Sequence, residues 1–178
     1  MVAMMIYDRS DRELAELIAF SRELFALTSE EELELKSISD KSGVIKNAER
    51  CQPLDILCLK VSDIRELELL RLMRSTYEQL EILIIADRNI SPMKYLTPDI
   101  RAASLLLAPY TEQECKVVIK EFLQAYFHNR EEVDDKKVLV IANRNGKITI
   151  PYSQVYYIEV RERKVFIRLR DKEYSQYD

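Results

Sequence analysis

The sequence predicts an α/β fold: a five-stranded, doubly wound parallel sheet followed by a small antiparallel all-β segment. Two observations predict it. Through residue 130, short continuous apolar runs alternate with stretches whose apolar residues recur at helical spacing. That is the pattern of strands covered on both faces and joined by right-handed crossovers. Beyond the acidic run Glu131-Glu132-Val133-Asp134-Asp135 the period falls to two, as in a sheet covered on one face.

Taken in order, residues 2–7 (VAMMIY) form the first apolar strand. Ser10-Asp11-Arg12-Glu13 is a capping box, in which hydroxyl and carboxylate each satisfy an orphan amide. It opens a helix carrying Leu14, Leu17, Ile18, Phe20, Leu24 and Phe25 on one stripe. A second strand falls at 34–39 and a short helix at 44–50, ended by Pro53. The third strand is 55–61 (DILCLKV), and Ser62 caps a helix over 64–77 with Leu67, Leu70, Leu72 and Met73 inward. Strands four and five fall at 82–86 and 103–107. Thr111-Glu112-Gln113-Glu114, another capping box, opens a long helix bearing Val117, Val118, Phe122, Leu123 and Tyr126.

The acidic break reads as a linker, residues 131–136, between a first domain of residues 1–130 and a β domain of 137–178. In the latter, strands at 137–142 and 147–150 flank Asn145-Gly146, a strong two-residue hairpin signal. Residues 151–154 turn, and strands at 155–160 and 164–169 flank Arg161-Glu162-Arg163. This unit is small for an independent core without disulfide or metal, so it leans on something else or is a piece of a larger domain.

Composition excludes much. The chain has 178 residues, 47% apolar and 33% charged, an ordinary globular balance. Three scattered cysteines (Cys51, Cys58, Cys115) make neither a disulfide framework nor a zinc site, and point to a reduced, cytoplasmic compartment. No run approaches the roughly 20 apolar residues of a membrane span, and no signal-peptide pattern opens the chain. Two glycines cannot build a phosphate-cradling loop, and the one histidine, His128, has no catalytic pattern around it. Neither an enzyme, nor a cofactor, nor a metal is expected. Charge is uneven: residues 1–135 carry −9, and residues 136–178 carry +5. A basic rear unit is the part suited to a polyanion, although a solvated strand surface would read alike.

With this order of elements the front unit resembles the receiver domain of two-component response regulators, of the flavodoxin-like type with its site at the strand C-termini. The rear is similar to the opening of a LytTR DNA-binding domain, most tellingly in the hairpin, Val155-Tyr156-Tyr157-Ile158-Glu159, the charged turn and Val165-Phe166-Ile167. The departures from a receiver are chemical. Where the family has two acids to hold magnesium, Asp8 is followed by Arg9. The phosphoacceptor aspartate falls on Lys60, the switch hydroxyl on Ile85 (or Ala86 one register on), and the lysine before the proline on Ala108.

An ammonium cannot form an acyl phosphate, and it disfavours the carboxylate clustering that magnesium needs. The expectation is a pseudo-receiver in which Lys60 pairs with Asp8. The resemblance also implies DNA contacts from Arg161, Arg163 and Lys164, with Arg144 and Lys147 as backbone contacts. It implies a homodimer through the fourth and fifth helical segments of the front unit, or another regulatory protein as partner. The rival expectation is an interaction module with a truncated β domain that does not bind DNA.

Overall fold

A computed structural model describes residues 1–136, 138–143, 146–161, 164–169 and 173–177. The chain divides into two compact units, Met1–Tyr126 and Phe127–Asp178.

The first unit is a parallel sheet of β1 (Val2–Tyr7), β2 (Leu33–Ile38), β3 (Ile56–Val61), β4 (Glu81–Asp87) and β5 (Ser104–Ala108). Spatial order is β2-β1-β3-β4-β5, so the chain reverses direction across the sheet at β1 and β3. Helices α1 (Asp11–Thr28), α2 (Lys41–Glu49), α3 (Ile64–Thr76) and α4 (Glu112–Lys136) follow β1, β2, β3 and β5. The middle strands are apolar throughout because both faces are covered: all six residues of β1 are buried, as are Ile56, Leu57, Cys58 and Leu59 of β3 and Ile82–Ala86 of β4.

Two local expectations shift. The cap of α3 is Asp63, not Ser62: its carboxylate accepts from the Arg65 amide, and Glu66 reciprocates onto the Asp63 amide at 2.9 Å. A carboxylate at the favourable end of the helix dipole competes well with a hydroxyl one residue earlier. Between β4 and β5 there is no α-helix; the segment carries a single three-residue 3-10 turn, Pro92–Lys94. Pro92 suits the first position of that turn, and Pro98 disfavours helical backbone at Thr97 before it, so the turn does not extend into a helix. Finally, residues 131–136, expected as a linker, are helical backbone continuous with α4, since a run without proline or glycine does not stop a helix.

The second unit contains two small antiparallel sheets. One pairs β6 (Val138–Asn143) with β7 (Gly146–Pro151); the other has β8 (Val155–Arg161), β9 (Lys164–Leu169) and β10 (Glu173–Tyr177) in the order β10-β9-β8. Asn143 pairs with Gly146, so the glycine opens β7 instead of closing the turn. The last strand was not anticipated. Ile150 and Ile167 are buried, with Leu139, Val155 and Leu169 packed around them. A bulge between Val155 and Tyr157 leaves Tyr156 and Tyr157 both exposed, with ring centroids 6.1 Å apart.

Candidate functional site

The C-terminal ends of β1, β3, β4 and β5 surround a cavity of about 590 Å³, lined among others by Glu13, Lys60, Asp87, Ala108 and Tyr110. The loops leaving parallel strands diverge at this end, which makes it the natural site in a doubly wound sheet. Lys60, the fifth residue of β3, lines the cavity with a side chain that is 11% exposed.

Lys60 Nζ lies 4.0 Å from Asp8 Oδ2 and in closer contact with Glu13 Oε2, to which it donates a hydrogen bond. Glu13 is the residue the sequence misassigned. Ser10 does accept from the Glu13 amide, at 3.4 Å. The other half of the expected capping box is missing, because the Ser10 amide donates to Asp8 Oδ1 instead, at 2.9 Å. Asp8 thus performs the capping that Glu13 would have done, and the Glu13 side chain is released to the lysine. The second oxygen of Asp8, Oδ2, is buried without a hydrogen bond, and the opposite charge facing it is Lys60.

Burial raises the pKa of Asp8 above the usual aspartate range; the Ser10 amide and the Lys60 charge oppose this without overcoming it. For Lys60, burial favours the neutral amine. The Glu13 hydrogen bond and the charges of Asp8, Glu13 and Asp87 outweigh it, so the lysine pKa stands above its ordinary 10.5. The Lys60 side chain in the cavity is an ammonium. Tyr110 is likewise pushed up, first by burial and then by the nearby Cys115, Glu13, Asp8 and Glu16.

Arg9 turns away from Lys60. It forms ion pairs with Asp63 (3.1 Å) and, more closely, with Glu66, and its Nε donates to the Tyr7 hydroxyl at 3.4 Å. Glu66 is 1% exposed and also faces Lys41 Nζ at 3.4 Å. The two residues after β1 therefore enter separate charge clusters, Asp8 with Lys60 and Arg9 with Glu66. Among the described residues no group of three or more His, Cys, Asp or Glu is arranged to hold a metal ion.

Of the four residues expected at the pocket, Lys60 and Ala108 line the cavity and Asp8 lies within ion-pair reach of Lys60. Ile85 does not line it; like Ala86 it is fully buried in the sheet, and the side chain from β4 that reaches the cavity is Asp87. Ala108 precedes Pro109 across a cis peptide bond. In the second unit, Arg161 and Lys164 pair across the β8–β9 hairpin, and Lys147 pairs with Ala142. Arg144 and Arg163 lie outside the described residues.

No protein-family model matches the sequence, and no curated protein sequence matches it. Solved structures do. A response regulator receiver domain protein from Clostridium thermocellum superposes with a TM-score of 0.54 at 17% identity, over 75% of this chain and 98% of that one. The response regulatory domain of protein mrkE from Klebsiella pneumoniae gives 0.55 at 17% identity, over 71% and 99%. A two component transcriptional regulator AraC from Clostridium phytofermentans gives 0.55 at 18%, over 73% and 98%. The five-stranded sheet with its flanking helices has the receiver fold, and the small antiparallel β segment is additional to it.

Proposed function

We propose that the chain is a regulator of the response-regulator type whose receiver works without phosphorylation. The carrying observation is the Lys60 ammonium at the tip of β3, engaged by Glu13 and Asp8. Phosphoryl transfer to a receiver needs a carboxylate nucleophile and a divalent ion to neutralise the incoming phosphoryl oxygens. Here a fixed cation does the neutralising and offers no oxygen for attack. On this reading the first unit acts by binding, either to a second copy or to another regulatory protein.

The second unit, by its resemblance to LytTR domains and the +5 carried by residues 136–178, is assigned to DNA. Arg161, Arg163 and Lys164 would contact bases or phosphates from the β8–β9 turn, with Arg144 and Lys147 on the backbone. A second reading, an interaction module, is favoured by the apolar side chains exposed on this unit: Tyr152, Tyr156, Tyr157 and Ile158 are each at least 48% exposed. A gel shift of the full chain against DNA from upstream of its own gene, across salt concentrations, separates the two. The regulator reading expects binding that weakens steeply with salt and is the same with and without acetyl phosphate. Absence of binding at low salt assigns the chain to the interaction module, and binding that needs the phosphodonor contradicts both the lysine assignment and the reading built on it.

A further inference from the structure

A second concavity, about 340 Å³, lies between the edge strand β2 and helix α2, away from Lys60. Lys36 enters it from β2, and Lys46 and Arg50 enter from the C-terminal turn of α2 and its cap. The last two are four residues apart and so share a helix face. Ser37, Asn47 and Gln52 complete the polar lining.

Hydrogen-bond bookkeeping at this groove is one-sided. Gln52 Oε1 already accepts from Lys36 Nζ (3.0 Å) and from Asn47 Nδ2 (3.1 Å). The hydroxyl of Tyr77 lies 3.1 Å from Asn47 Oδ1 and donates to the Gln52 carbonyl at 2.8 Å. Gln52 Oε1 is thus engaged from within and Asn47 Oδ1 faces the Tyr77 hydroxyl, whereas the Gln52 amide, both lysines and the arginine remain as donors. Lys36 is shared with Glu34 at 3.2 Å. Among the described residues neither Lys46 nor Arg50 has a carboxylate in ion-pair contact. Asp40, whose charge Lys46 stabilises from a distance, is itself held by Ser42 and the Gly43 amide.

Three cations and an amide, all donors, converge on a groove within a segment that otherwise carries a large negative excess. The chemistry complementary to such a lining is a multivalent oxyanion. A planar guanidinium beside two ammonium groups matches a phosphoryl group with its several acceptor oxygens. The volume, about 340 Å³, is at the small end of ligand pockets, which run from roughly 300 to 1,000 Å³, and suits a small ester. We propose that the groove between β2 and α2 binds a small phosphate monoester, its phosphoryl oxygens on Lys36, Lys46 and Arg50. The site is independent of the reading of Lys60.

The test is an NMR titration of the full chain with ribose 5-phosphate and with inorganic phosphate, each against sodium chloride at matched ionic strength. Saturable shifts are expected at Lys46, Asn47, Arg50 and Gln52, with the ester bound at least as tightly as free phosphate. Lys46→Ala and Arg50→Ala each weaken binding about tenfold or more, the loss of one charge-assisted hydrogen bond. Arg50→Lys recovers part of it, and Lys60→Met leaves it unchanged. Both alanine variants alter exposed positions, so unchanged circular dichroism accompanies the loss. Shifts that grow linearly and are reproduced by chloride, an affinity unaltered in Arg50→Ala, or preference for free phosphate over the ester would each overturn the proposal.

Discussion

Lys60→Asp is expected to unfold in metal-free buffer at pH 7 with a stability about 3 kcal/mol below that of the parent chain, and millimolar magnesium to restore a large part of the loss. No magnesium effect is expected on the parent chain. The reason is the arrangement at the tip of β3. Asp8 is 2% exposed, one of its oxygens has no hydrogen bond, and the compensating charge is the lysine 4.0 Å away. Replacing that ammonium by a carboxylate puts a third acid beside Asp8 and Glu13, with Asp87 on the same cavity. Removing one member of a buried pair costs about 3–5 kcal/mol, and the lower figure applies because Glu13 is 38% exposed. The same four carboxylates would give a hard divalent ion oxygen ligands it lacks in the parent. Saturation at a hundred times the dissociation constant contributes about 2.7 kcal/mol.

The pH dependence follows from the same groups. Because the folded-state pKa of Lys60 is raised, its contribution is fully present below its ordinary 10.5 and is lost as pH rises through the higher folded value. The stability difference between the parent and Lys60→Met is therefore flat from neutral pH to near 10 and shrinks above it. Asp8, also raised, contributes most below its ordinary 3.8 and loses that contribution as pH rises through its folded value. Without the lysine that folded value moves higher still, so Lys60→Met recovers stability relative to the parent as the solution is acidified from neutral.

Glu66→Ala is the other large loss, about 3–5 kcal/mol by chemical denaturation. The carboxylate is 1% exposed and serves four groups: Arg9, Lys41, the Tyr7 hydroxyl at 3.5 Å and the Asp63 amide. Lys41 Nζ is buried and makes no hydrogen bond, so Glu66 at 3.4 Å and Asp63 at 3.9 Å are its compensation. Alanine at 66 leaves that ammonium short of charge and removes half of the α3 capping box. Glu66→Gln keeps an acceptor for the Asp63 amide and loses the charge, so it falls between the two. A Glu66→Ala chain within 1 kcal/mol of the parent would show that Asp63 alone neutralises Arg9 and Lys41.

Sequence patterning carried the architecture well and the electrostatics in part. The apolar runs of β1, β3 and β4 identified themselves because strands covered on both faces have no alternative composition, and the change of period near residue 136 marked the antiparallel sheets. Lys60 was legible as a misplaced cation because its position at the end of a strand is fixed by the sheet. Its main partner was not. Glu13 sits where a capping residue belongs, and nothing local reveals that Asp8 takes the Ser10 amide and frees it. Asp87 lies two residues beyond Ile85 and on the same face of β4, and only the one at the end of the strand reaches the cavity.

The measurement that bears most directly on the lysine at the tip of β3 is the intact mass of the full chain after incubation with acetyl phosphate and magnesium. An unmodified parent mass is predicted, beside a phosphorylated receiver of ordinary sequence as the positive control. A stoichiometric phosphate adduct on the parent chain would contradict it, since some other side chain would then be serving as the acceptor.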